Sequence, residues 1–87
     1  LFIISKKNKE IRDKILFDLE RGGTFLNGRG MFTDEEKQVI FCVASRREVA
    51  ILEEFISHED PDAFITIMDT KEILGEGFNS LHLKKQT

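Results

Sequence analysis

A single cysteine, Cys42, excludes an intrachain disulfide and any cysteine-rich zinc site. It lies in the apolar run VIFCVAS, where a small buried thiol is the expected outcome, and a reducing compartment is compatible with it. The two histidines, His58 and His82, stand far apart without a ligand pattern and read as surface residues. Basic side chains are not in excess: 13 Lys and Arg against 16 Asp and Glu leave a net charge of −3. That balance argues against a nucleic-acid binder, and the clusters SKKNK and SRR are offset by acidic neighbours. No apolar run approaches the roughly 20 residues that span a bilayer, and no signal peptide is visible.

What remains is one domain of 87 residues, 40% apolar and 33% charged. A chain this short buries roughly 60–65% of its unfolded surface, so an oligomer contact would add to a thin margin. It opens on LFIIS without a methionine, which suggests a domain cut from a longer protein.

LFII reads as a first strand. NKEIRDKILFDLERGG reads as a helix with Ile11, Ile15, Leu16 and Leu19 on one arc, Asn8 near its start and Gly22 or Gly23 at its stop. Phe17 points away from that arc: either it is an isolated exposed aromatic or it touches something outside the domain. TFLNGRGMFT reads as a strand interrupted by glycine, TDEEK as a turn and QVIFCVAS as a central strand. Ser45 and Glu48 in SRRE form a capping box. The helix it opens carries Val49, Leu52, Phe55 and Ile56 as its core stripe, with Ile51 at the edge, until Asp60-Pro61. DAFITIMDT is the fourth strand, KEILGEGFNS a short helical turn or loop, and 79–87 a frayed tail after a domain at 1–78.

The order β-α-β-β-α-β gives an α+β, ferredoxin-like sandwich: a four-stranded antiparallel sheet with two helices on one face. A sheet wet on its other face should alternate apolar and polar residues. Here Val39, Phe41 and Val43 face opposite to Ile40, Cys42 and Ala44, and Ala63, Ile65 and Ile67 face opposite to Phe64, Thr66 and Met68. Both faces call for burial while helices cover one, and each wet side chain forfeits roughly 1.5–3 kcal/mol. A homo-oligomer follows as the expectation.

Four of the six glycines fall within RGGTFLNGRG. GRGMFT is not a nucleotide-binding G-x-G-x-x-G, because Thr33 takes the third glycine position and no helix opens there. Gly28 and Gly30 therefore read first as a kink in the strand. Arg29 between them offers a guanidinium beside exposed backbone N–H groups, a plausible grip for a small anion. Arg46 and Arg47 start a helix, where cations oppose the dipole; they call for an acidic ligand or for pairing with Glu48 or Asp69. Glu35-Glu36, Glu53-Glu54 and residues 58–60 read as solvated surface, and nothing indicates a catalytic constellation, a metal or a cofactor.

RGGTFLNGRGMFT, SRRE, DPDAFITIMD and EILGEGF, in that order, resemble the C-terminal domain of YitT-type bacterial membrane proteins over about residues 3–78. The shared marks fall on Arg21-Gly22, Thr24, Gly28 and Gly30, Phe32-Thr33, Asp60-Pro61, Ala63-Phe64 and Gly75, Gly77 and Phe78. Gly23, Phe32 and Asp34 depart from the commoner residues there, and the missing phenol at 32 removes any role that needs a hydroxyl. The resemblance implies a PII-like domain on the cytoplasmic side of a multi-span membrane protein, attached to the membrane-spanning portion of its parent chain and trimeric by analogy. It has no established activity. It places a small anionic ligand or nucleotide near subunit junctions, at Gly28, Arg29, Gly30, Gly75, Glu76, Gly77 and Phe78. A ligand-free assembly module is the competing expectation.

Overall fold

The computed structural model describes residues 1–70. Its elements are β1 (Phe2–Ile4), α1 (Asn8–Asp13), a π-helical turn (Lys14–Asp18), β2 (Thr24–Arg29), β3 (Glu36–Phe41), α2 (Arg46–Glu59) and β4 (Phe64–Thr66). The strands form one sheet in the order β2-β3-β1-β4, and every neighbouring pair is antiparallel. This is the ferredoxin-like arrangement.

The core lies between the sheet and the helices. Ile3, Ile40 and Cys42 rise from the sheet to meet Ile11 and Ile15 of the first helical segment and Leu52 and Ile56 of α2. Leu19, Phe55, Ala63 and Ile65 pack around them, as the helical and strand periodicities require.

The first helix departs from the expectation at its end. After Asp13 the turn widens: the Leu19 N–H donates to the Lys14 carbonyl five residues back, at 3.1 Å. Leu16 consequently sits half-exposed rather than in the core. The left-handed residue that ends the helix is Glu20, with φ 55°, and not Gly22 or Gly23. Gly23 serves another purpose: a β-carbon there would lie 3.1 Å from the Phe41 carbonyl oxygen, so β2 enters the sheet by close approach to β3.

The hairpin also differs. β2 runs without a bulge from Thr24 to Arg29, in continuous register from Thr24↔Phe41 to Arg29↔Glu36. The kink expected at Gly28 and Gly30 is therefore absent. Gly30 closes the hairpin instead, its N–H donating to the Glu35 carbonyl at 2.9 Å, while the Asp34 N–H donates back to the Gly30 carbonyl. Asp34 takes the left-handed position, φ 62°, which a short polar side chain tolerates. The turn thus covers residues 31–34, not TDEEK, and Met31, Phe32 and Thr33 leave the strand. β3 and β4 are shorter than expected, ending at Phe41 and Thr66.

Candidate functional site

The capping box of α2 forms as read: the Ser45 N–H donates to Glu48 Oε1 at 2.8 Å, and the Glu48 N–H to Ser45 Oγ at 3.3 Å. A third partner joins it from outside the helix. Arg21 Nε donates to both Glu48 oxygens at 3.1 and 3.2 Å, across 27 residues of chain. Glu48 is therefore committed to Arg21, and among the described residues no ion pair links Arg46 or Arg47 to Glu48 or Asp69. Burial pushes the Glu48 carboxyl up, but the Ser45 N–H and hydroxyl and the Arg21 guanidinium outweigh it and hold it below the ordinary carboxylate value. Arg21 thereby locks the end of the first helical segment to the start of α2.

Asp60 makes the corresponding lock at the other end. Its carboxylate accepts from Ser5 Oγ at 2.7 Å, from the Lys6 N–H at 3.1 Å and from the Asp62 N–H at 3.1 Å. The Ser5 hydroxyl, then the Lys6 N–H, keep its carboxyl below the ordinary range against a smaller opposing effect of burial.

Gly28, Arg29 and Gly30 come together at the far end of β2, on the hairpin. Arg29 Nε sits 3.0 Å from Asp34 Oδ1, with both side chains largely in solvent. The Gly30 N–H is engaged by Glu35, so the guanidinium and one of the expected backbone donors already have partners. Gly28 differs. A β-carbon there would meet only Val39 Cγ2, at 3.9 Å, so the fold does not need glycine at this position. Gly75, Glu76, Gly77 and Phe78 lie outside the described residues.

The sheet's second face is the larger feature. Register puts Thr24, Leu26 and Gly28 of β2 on the same side as Phe41, Val39 and Lys37 of β3, with Phe2 and Ile4 of β1 and Thr66 and Phe64 of β4. The Phe2 and Phe41 rings meet across strands, tilted by 45° with centroids 5.1 Å apart. Leu26 remains 41% and Phe64 64% exposed, while no core residue lies on this side. The periodicity of QVIFCV and DAFITIM is borne out: both faces are apolar and the helices cover one.

Sequence reasoning missed two things. Met31 and Phe32 project from the hairpin tip almost wholly into solvent, which placing the turn at residues 31–34 would have exposed. The Arg21–Glu48 pair has no local pattern to announce it. Among the described residues no group of three or more His, Cys, Asp or Glu could hold a metal, and no helix is long and apolar enough to cross a membrane.

A ferredoxin-like domain with a projecting hairpin and one apolar sheet face that no helix among the described residues covers is the class that these features define. The chain belongs to the family described as uncharacterized protein conserved in bacteria (DUF2179), which matches residues 21–75. It is 45% identical over 76 residues to the UPF0750 membrane protein YpjC of Bacillus subtilis (strain 168), covering 87% of this chain and 26% of that one. It is 37% identical over 73 residues to the UPF0750 membrane protein YitT of the same organism, covering 84% and 26%. The chain thus spans about a quarter of the length of these curated relatives. A crystal structure of a DUF2179 protein from Eubacterium ventriosum matches with TM-score 0.62 and 35% identity, over 72% of this chain and 86% of that one.

Proposed function

We propose that this domain is a self-associating module of a bacterial membrane protein, its copies meeting through the open sheet face on the cytoplasmic side. One observation carries the reading: Phe2, Ile4, Leu26, Val39, Phe41 and Phe64 form a continuous apolar surface that no helix among the described residues covers. Gly28 supports it, since the absent side chain leaves a gap on that face where another backbone can approach. Three copies are proposed by analogy with PII proteins, and no catalytic role is assigned. Light scattering over a dilution series tests the proposal. A mass above one chain at micromolar concentration is the expected result, and a single-chain mass throughout would overturn it.

The second reading, a sensor for a small anionic ligand, draws on Arg29. Its pair with Asp34 is exposed, worth at most about 1 kcal/mol, so an anion could displace the carboxylate cheaply. The site would combine Gly28, Arg29 and Gly30 with Gly75, Glu76, Gly77 and Phe78. A thermal-shift screen with nucleotides and dicarboxylates tests it, because a ligand that binds only the folded state raises the midpoint. A shift that disappears in Arg29→Ala would support the sensor, and no shift at millimolar concentration would leave the assembly reading alone.

A further inference from the structure

The hairpin tip is an ordered presentation of two apolar side chains. The Gly30–Glu35 and Asp34–Gly30 hydrogen bonds fix the loop, and the Glu35 N–H donates to Thr33 Oγ1 at 3.3 Å. Within that frame Met31 and Phe32 are 102% and 99% exposed. The folded chain gains nothing from either side chain, although an aromatic is the kind of residue that anchors interfaces.

On the same molecule, at the opposite end of β2, lies a groove of about 120 Å³. It is walled by Arg12, Ile15 and Leu16 on one side and by Thr24 and Phe25 on the other, with Ile40 beneath. The widened turn described above leaves Leu16 at the rim of this groove. Its volume is of the order of the roughly 150 Å³ apolar cavity that accommodates a benzene ring.

We infer that Phe32 of one copy seats in the Arg12–Leu16–Phe25 groove of a neighbouring copy, with Met31 packed against the rim. The inference rests on the self-association proposed above and adds to it a second contact on the helix side of the sheet, where Phe25 and Ile40 lie. The tip cannot reach its own groove: β2 is extended from Thr24 to Arg29, which separates the two by about 20 Å at roughly 3.3 Å per residue. Charge favours a second copy as the occupant. Asp34, Glu35 and Glu36 follow the apolar tip and outnumber Arg29 and Lys37 beside them by one, and Glu35 and Glu36 make no ion pair among the described residues. Among the described residues the Arg12 side chain at the rim pairs with its neighbour Asp13, at 3.2–3.3 Å. An acidic tip beside Arg12 is complementary, whereas the same acids oppose docking on anionic lipid headgroups. Knob and groove are different surfaces, so the contact is head-to-tail and a closing rotation gives a ring.

Cysteine coupling between two separately tagged copies tests the contact. Met31→Cys in one and Leu16→Cys in the other should form a mixed disulfide under mild oxidation, about tenfold or more faster than Met31→Cys with Ser57→Cys on α2. Adding Phe32→Ser to the Met31→Cys copy should remove the excess. Equal rates for the two pairs, with light scattering still showing an assembly, would overturn the contact and leave self-association standing. A single-chain mass at every concentration would overturn both. Absence of coupling, together with Phe32-dependent sedimentation with phosphatidylglycerol vesicles, would reassign the tip to a membrane surface.

Discussion

Arg21 and Glu48 are joined by a forked contact of 3.1 and 3.2 Å that ties the two helical segments together at the same end of the sheet. Glu48 is almost fully buried and also accepts from the Ser45 N–H, so two donors share one carboxylate. Replacing Glu48 by alanine removes the carboxylate that Arg21 contacts across the two helical segments and leaves the Ser45 N–H at the helix cap without its acceptor. The expected cost is about 2 kcal/mol, which lowers the melting midpoint by about 8–16 °C in a domain of this size. Ser45→Ala should cost about 1 kcal/mol, and Glu48→Gln should fall between wild type and Glu48→Ala because it keeps an acceptor but loses the charge. Thermal denaturation of the three variants checks the order.

The pH dependence of stability follows from the two depressed carboxyls. Glu48 and Asp60 both hold their protons less tightly in the folded chain than in the unfolded one. As pH falls through the unfolded carboxylate range, about 3.9–4.3, the unfolded state takes up protons first, so the stabilisation these groups supply declines. It is fully present above about pH 5 and lost as pH drops through the lower folded values. Denaturant titrations between pH 7 and 3 should show this fall, and the double variant Glu48→Gln, Asp60→Asn should be less stable at pH 7 with a flatter profile.

Cys42 is a core residue rather than a reactive one. Burial pushes its thiol above the ordinary value, against the pull of the Leu1 ammonium and with a smaller push from Glu48. Iodoacetamide at pH 8 should leave the folded chain unmodified and label it completely in denaturant, as mass spectrometry would record.

Gly28 separates the needs of the fold from those of the surface. Its backbone is unstrained and its missing side chain has room, so Gly28→Val should keep or raise stability by about 0.5–1 kcal/mol. The same change fills the gap on the open face and should weaken self-association several-fold. Denaturation and light scattering on one sample read both effects.

The β-α-β-β-α-β order of elements, the core positions Ile11, Ile15, Leu52 and Ile56, and the capping box were legible because each follows from local periodicity or a short motif. The two apolar faces of β3 were legible for the same reason. Three features were not. Glycine at 28 and 30 drew attention as a bulge, yet the turn formed beyond it, with Asp34 in the left-handed position that glycine usually takes. The helix end fell on Glu20 because the widened turn over Lys14–Asp18 changed the phase of the last residues. Glu48 met Arg21 rather than its neighbours Arg46 and Arg47, a choice made by packing between segments and invisible in spacing. The hairpin tip was missed for the first of these reasons.

The open sheet face is most directly tested by a charge placed on it. Light scattering at matched concentrations would compare wild type with Leu26→Glu, on that face, and with Phe17→Glu, an aromatic that is already 73% exposed on the helical side. Assembly in wild type and Phe17→Glu, with Leu26→Glu reduced to a single folded chain, is the result expected. An assembly that Leu26→Glu leaves intact would contradict it.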